Sequence, residues 1–365
     1  MIRILFTGYA PVHFVCFRPL YSLLARAPGV SVTLSGGLRG RGSSGQTVYD
    51  ERGLYDRFEL PAGAVRSVEE IRAESYDILF CANTKRIEPG AYGRSIEIFH
   101  GLSFRNRAVR SANGTNDHYF VLGPYMHRLL GSSGVLRPRD PRAVPVGFMK
   151  TDCLLDGSIR REDVLARYRL DGERPVVLYA PTGARRNSLE TMGAPLLGAL
   201  TRAGRFDVIV KPHDHPKDGI DWAARLAPLE SERIRVAREP DVAPLLVAAD
   251  VLLTDASSVA NEYALLDRPI VFADVPELLR AARANPESNL DLRTWGRRAG
   301  RIGRDPDSIV AALDEAVAHP RRRSSVRRRL VSDLFYNPGF ATATAATWLR
   351  DALGVAVDPP YEHAA

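Results

Sequence analysis

The sequence predicts an α/β protein built on two parallel sheets, each flanked by helices. Three observations carry this. Short apolar runs alternate with longer amphipathic ones along most of the chain, as strands buried on both faces do when crossover helices join them. The alternation restarts beyond a proline-rich segment at residues 137–147, so it occurs twice. At 365 residues with 45% hydrophobic content, the chain is long enough for two domains, each with its own core.

In the first half, residues 2–7, 30–34, 77–81, 96–99 and 119–122 are the expected strands, with helices over 17–27 and 68–75. Residues 36–45, rich in Gly, Ser and Arg, read as a loop. Residues 137–147 hold three prolines and read as an interdomain linker with one short strand inside. Strands are then expected at 176–180, 208–211, 234–236, 251–254 and 270–272, with helices at 189–203, 242–248 and 259–266. Two tail helices, 308–318 and 340–353, are joined by the arginine-rich "HPRRRSSVRRRL". The expected domains are residues 1–142 and 143–336, with 337–365 a helix and tail returning to the first.

Composition narrows the partners. A net charge of +7 and a pI near 9.4 suit an anionic partner. Nucleic acid is disfavoured, since no helix-turn-helix or stacking-aromatic motif accompanies the charge. Cys16, Cys81 and Cys153 form no CxxC pair and read as free thiols of a reducing cytoplasm. The N-terminal "IRILFTGYA" reads as a buried strand with its loop rather than a signal peptide. No run approaches the ~20 apolar residues that span a bilayer.

The chemistry-bearing residues cluster where strands end. His100 follows the apolar run 95–99, and Gly101 beside it allows close approach of backbone to a ligand. A histidine titrating near neutrality can accept a hydroxyl proton; the alternative is a strand-end histidine bonded to backbone. Lys211 and His213 end the run 208–210, where positive charge could meet a diphosphate and a proline-closed turn is the plainer reading. Thr254-Asp255-Ala256-Ser257-Ser258 ends the next strand and opens a helix. Hydroxyls and free N–H groups there suit an anion, and Asp255 or Ser257 could equally cap the helix. Thr182, Gly183 and Arg185 follow the strand at 176–180, in a loop that either embraces a ligand or only connects.

Other patterns carry less. His213-Asp214-His215 supplies too few ligands for zinc, so no metal is expected. Asp305-Pro306-Asp307 precedes a helix and reads as an N-cap rather than a metal motif. Glycines between 36 and 45 lack the context of a dinucleotide fingerprint. Arg321–Arg323 and Arg327–Arg329 lie beside apolar residues. They suit an anionic membrane surface, or a solvated face with ion pairs.

Taken together, "FHGLSFRNR", "VGFMKTDCLL", "VVLYAPTGAR", "VIVKPHDHP", "LLTDASSVANEYALLDRPIVF" and "DLFYNPG" occur in an order similar to that of CDP-glycerol glycerophosphotransferases. Those enzymes prime or polymerise teichoic-acid chains, and the resemblance covers residues 95 to 350. It implies a GT-B-like fold, two Rossmann-type domains facing a central cleft, with a C-terminal helix crossing back to the first. It implies transfer of an alditol phosphate from a CDP-activated donor to a hydroxyl of a polymer or lipid-linked acceptor. In that reading His100 is the general base and His213 contacts the pyrophosphate. Lys211, Thr182, Arg185, Asp255, Ser257, Ser258 and Glu262 hold the donor; for Glu262 a solvated helix face is the alternative. Gly101 and Arg105 lie on the acceptor side. No cofactor is implied, and the setting is cytoplasmic or peripheral on the inner membrane face. Departures exist: Ala256 stands where the family usually has an aromatic, and Arg105 and Arg107 where lysines are common. The rival on the same fold is an NDP-sugar glycosyltransferase or a UDP-GlcNAc 2-epimerase-like enzyme. An epimerase should show Gly-Gly after the helix-opening serine, where this chain has Ser257-Ser258.

Overall fold

The structure, a computed structural model, describes residues 1–82, 86–101, 115–213, 220–285 and 295–360. In chain order the first strands are β1 (Ile2–Gly8), β2 (Val30–Gly36), β3 (Leu38–Arg41), β4 (Thr47–Asp50), β5 (Val65–Arg66), β6 (Ser75–Cys81), β7 (Ala91–Glu97), β8 (His118–Phe120) and β9 (Ala143–Val144). Seven of them form one parallel sheet in the order β5-β2-β1-β6-β7-β8-β9. The chain winds outward from β1 in one direction and then resumes at β6 in the other. Strand order therefore reverses between β1 and β6, the position where such sheets open a crevice beyond their carboxyl ends.

The remaining strands are β10 (Val176–Tyr179), β11 (Asp207–Val210), β12 (Ile234–Val236), β13 (Val251–Thr254), β14 (Ile270–Ala273) and β15 (Arg301–Gly303). They pair in parallel in the order β12-β11-β10-β13-β14-β15. Here the reversal lies between β10 and β13. Every residue of β10, β11, β13 and β14 is buried. That burial on both faces is why their sequences read as unbroken apolar runs.

The chain divides into two units. One comprises Met1–Gly101, the described part of Ala108–Asp152 and the chain from Leu334 onward; the other is Cys153–Asp333. The expected boundary at residue 142 and this division differ over residues 143–152. The reason is that β9, inside the proline-rich segment, is hydrogen-bonded to β8 as the edge of the first sheet. That segment is therefore part of a domain rather than a linker.

Residues 36–45 are also not a plain loop. Leu38–Arg41 pairs antiparallel with Thr47–Asp50 in a two-stranded ribbon. The β-prone "TVYD" partner lay outside the glycine-rich window, so the pairing was hidden. A further helix, Ser324–Leu334, occupies the arginine-rich connection of the tail.

The C-terminal helix Ala341–Leu353 belongs to the first unit. Ala341, Ala345, Ala346 and Leu349 join Phe14, Phe17 and Leu20 of the helix Pro11–Leu24 in its core. Asp152 fixes the helix start, its two carboxylate oxygens accepting from Ala341 N at 3.1 Å and Thr342 N at 2.7 Å. Asn337 donates to Pro145 O and Val146 O. Thus "VGFMKTDCLL" and "DLFYNPG" meet each other, and their polar residues hold the returning chain. Among the described residues no helix is long and apolar enough to cross a membrane.

Candidate functional site

In the second unit, three predicted motifs end three adjacent strands of one sheet. Thr182, Gly183 and Arg185 follow β10, Lys211 and His213 follow β11, and Asp255, Ser257 and Ser258 follow β13. All lie at the carboxyl edge, astride the reversal between β10 and β13.

Asp255 organises this edge. Its carboxylate is fully buried. One oxygen accepts from Thr182 N at 2.9 Å and from Ala256 N; the other accepts from Ser188 N and Ser188 Oγ, both at 2.9 Å. Four protein donors saturate it. Asp255 thus ties the β10 loop and the first turn of the helix Ser188–Ala203 to the end of β13, and leaves no lone pair facing a ligand. A carboxylate also opposes the positive end of that helix, which Asn187 caps through Glu190 N at 3.1 Å. Ser188 was missed in the sequence because its partner is distant along the chain.

The serines after Asp255 are differently placed. Ser257 and Ser258 are half-buried. Ser257 Oγ accepts from Val259 N at 3.4 Å, and Ser258 makes no side-chain capping bond. Glu262, with Asn261 beside it, is buried, which excludes the solvated-face alternative. Ala256 packs with Val275, Leu278 and Leu279, so leucines occupy the space beside it.

Lys211 is buried, with its ammonium donating to Pro212 O at 3.0 Å. His213 is exposed, and its ring lies against Gly183: a Cβ on that glycine would sit 2.7 Å from His213 Cγ and Nδ1. Thr182 is buried and Arg185 exposed at the rim. Asp214, His215, Arg105 and Arg107 lie outside the described residues. Asp305 caps the helix Pro306–Ala318 through Ser308 N at 2.8 Å, and no cluster of metal-binding side chains occurs among the described residues.

The first unit places its chemistry at the β1/β6 reversal. His100 Nδ1 lies 2.7 Å from Ala82 O, just past β6. A carbonyl can only accept, so Nδ1 carries the proton and Nε2 keeps a lone pair. Burial lowers the His100 pKa, the Ala82 bond opposes this, and the Lys150 charge lowers it further. Among the described residues Nε2 has no partner, and a neutral imidazole with that lone pair available can act as a base.

Two neighbours escaped the sequence reading. His13, in the first turn of the helix Pro11–Leu24, packs its ring 4.9 Å from that of His100. Its position just beyond β1 was the available signal. Glu97, the last residue of β7, is fully buried. Its carboxylate accepts from Cys81 Sγ at 3.3 Å. Burial pushes its pKa up to about 8, opposed by the Cys81 hydrogen bond, the nearby Phe99 backbone and the Arg86 charge. In the turn leading to His100, Phe99 adopts φ 58° and Gly101 φ 143°. Gly101 is needed there because side chains rarely tolerate that φ.

The arginine clusters divide. Arg327 is buried, donating from Nε to Asp267 Oδ1 at 2.8 Å and from its other nitrogens to the carbonyls of Asp267, Pro320 and Arg322. It is an internal tie and faces no membrane. Arg321, Arg328 and Arg329 are exposed.

Residues 114–339 match the family described as CDP-glycerol:poly(glycerophosphate) glycerophosphotransferase. A teichoic acid glycerol-phosphate primase of Bacillus spizizenii is 31% identical over 129 residues, which are 34% of this chain and 32% of the relative. The match thus spans about a third of that relative's length. A wall teichoic acid polymerase TagF structure is similar with a TM-score of 0.64 at 14% identity, covering 93% of this chain and 86% of that one. A UDP-N-acetylglucosamine 2-epimerase structure is similar with a TM-score of 0.56 at 14% identity, covering 98% of each chain. These two likenesses show the fold, which is GT-B-like with two Rossmann-type units.

Proposed function

The chain belongs to the CDP-glycerol:poly(glycerophosphate) glycerophosphotransferase family, and on that premise we propose that it moves glycerol phosphate, or a related alditol phosphate, from a CDP-activated donor to an acceptor hydroxyl. The acceptor is a polymer or a lipid-linked chain. The observation that carries this is the gathering of His213, Lys211, Ser257 and Ser258 at one sheet edge, around a reversal stapled by Asp255.

His100 Nε2 takes the acceptor's proton as its oxygen attacks the β-phosphorus of the donor. The bond from that phosphorus to the bridging oxygen breaks, and CMP departs with the electron pair. Lys211, His213 and the hydroxyls of Ser257 and Ser258 hold the diphosphate, where donors gain most as charge moves onto the leaving group. Asp255 acts through the loops it fastens. Glu262 and the exposed Arg185 serve the nucleoside side, and Gly101 and Arg105 the acceptor side. The exposed Arg321, Arg328 and Arg329 meet anionic lipid at the inner membrane face, which flotation with phosphatidylglycerol vesicles tests.

The deciding experiment combines the protein with CDP-glycerol and a glycerol-phosphate primer. CMP release is expected, and His100→Ala abolishes it while calorimetry still detects CDP-glycerol binding. Release of a nucleoside diphosphate from a sugar nucleotide would instead assign a glycosyltransferase.

A further inference from the structure

His13 is nearly sealed, at 2% exposure, and its two ring nitrogens are unequal. Tyr9 N–H donates to His13 Nδ1 at 3.2 Å, so the neutral ring carries its proton on Nε2. His100 is the mirror case, with Nδ1–H spent on Ala82 O and a lone pair on Nε2. Neither Nε2 has a hydrogen-bond partner among the described residues. One imidazole thus offers a proton and its neighbour a lone pair. The ring centres lie 4.9 Å apart, with the planes tilted by 42°. Both rings are anchored from the backbone at the ends of β1 and β6, the two strands that flank the reversal.

We infer that His13 is a second acceptor-side catalytic residue, donating its Nε2–H to the oxygen of the attacking hydroxyl while His100 Nε2 removes that hydroxyl's proton. The inference rests on His100 being the base. In the step the acceptor O–H bond breaks and its proton passes to His100. The new O–P bond forms, the P–O bond to CMP breaks, and His13 keeps its own proton throughout.

The surroundings keep His13 neutral. Burial lowers its pKa well below the ordinary value, and His100 lowers it further. Among the described residues, the groups facing the pair are Tyr9, whose ring stacks edge-on at 4.6 Å, and Lys150, whose charge acts on His100. The positive end of the Pro11–Leu24 helix also disfavours an imidazolium in its first turn. A neutral N–H orients the attacking oxygen and stabilises charge as the proton leaves. Space is reserved for this ring, because a Cβ on Gly8 would fall 2.9 Å from His13 Cβ.

The test compares His13→Phe, which keeps an aromatic ring against Tyr9 and His100, with His13→Gln, which keeps an N–H donor. With CDP-glycerol and a glycerol-phosphate primer, His13→Phe is expected to lower kcat/KM for the primer about 100-fold. CDP-glycerol affinity by calorimetry and the His100 pKa by NMR titration stay as in the native protein. His13→Gln regains at least about tenfold of the loss. Native activity in His13→Phe overturns the inference. So does an equal loss in both variants with a shifted His100 pKa, which marks a ring that only supports the base. Turnover surviving in His100→Ala refutes the base itself, an outcome separate from either.

Discussion

Asp255 and Ser188 meet twice, a single carboxylate oxygen accepting both the backbone N–H and the hydroxyl of the serine at 2.9 Å. Asp255→Asn replaces one acceptor by an NH₂ that faces donors. Leaving buried donors unmatched costs about 1–3 kcal/mol each, so a loss of about 3 kcal/mol is expected in urea unfolding, with weakened CDP-glycerol binding. Full stability with binding alone lost would make Asp255 a direct ligand instead.

Gly183 leaves room for the His213 ring. Gly183→Ala sets a methyl 2.7 Å from Cγ and Nδ1 of that ring, and the exposed histidine swings aside. Stability should change by under about 1 kcal/mol. Turnover should fall by about 10- to 100-fold, as expected if the displaced ring is the proposed diphosphate contact. Paired melting curves and CMP-release kinetics check both halves.

Glu97 gives the first unit a pH signature. Its folded pKa is raised from 4.5 to about 8 by burial. Below pH 4.5 the carboxyl is neutral in both states and carries no penalty. As pH rises from 4.5 towards 8, the unfolded state ionises while the folded state resists, so stability is lost. The loss is at most about 5 kcal/mol. Glu97→Gln should abolish this decline. Urea midpoints measured from pH 5 to 8.5 should fall for the native protein relative to the variant; parallel curves would refute the assignment.

Arg327 and Arg328 are sequence neighbours with opposite fates. Arg327→Ala takes the guanidinium partner from Asp267 Oδ1 and three carbonyls, at an expected cost of about 3 kcal/mol. Arg328, whose side chain is 71% exposed and 4.0 Å from Asp267, should be replaceable by alanine within about 0.5 kcal/mol. Denaturant titration of the two variants decides it.

What could be read from the sequence follows from distance along the chain. β10, β11 and β13 are buried on both faces, so their residues announced them, and the motifs at their ends were visible for the same reason. The partner of His100 was not visible. His13 reaches it because β1 pairs with β6 and β6 with β7, and no local pattern encodes those pairings. Arg327 was hidden among six arginines, its partner Asp267 sixty positions away. Glu97 read as one residue of a strand, because alternation shows which face a side chain takes but not how deep it lies. The apolar cluster around Ala256 likewise depends on the helix Pro276–Arg283, whose approach no single segment specifies.

The clasp of Asp152 on the helix Ala341–Leu353 has a consequence for biosynthesis. The first unit opens with Met1 but draws its last helix from residues that leave the ribosome after all of Cys153–Asp333. The described residues of the later-encoded unit run without a break by the first unit and can mature as they emerge. The earlier-encoded one waits, with Phe14, Phe17 and Leu20 uncovered, until translation supplies the alanine face that seals them.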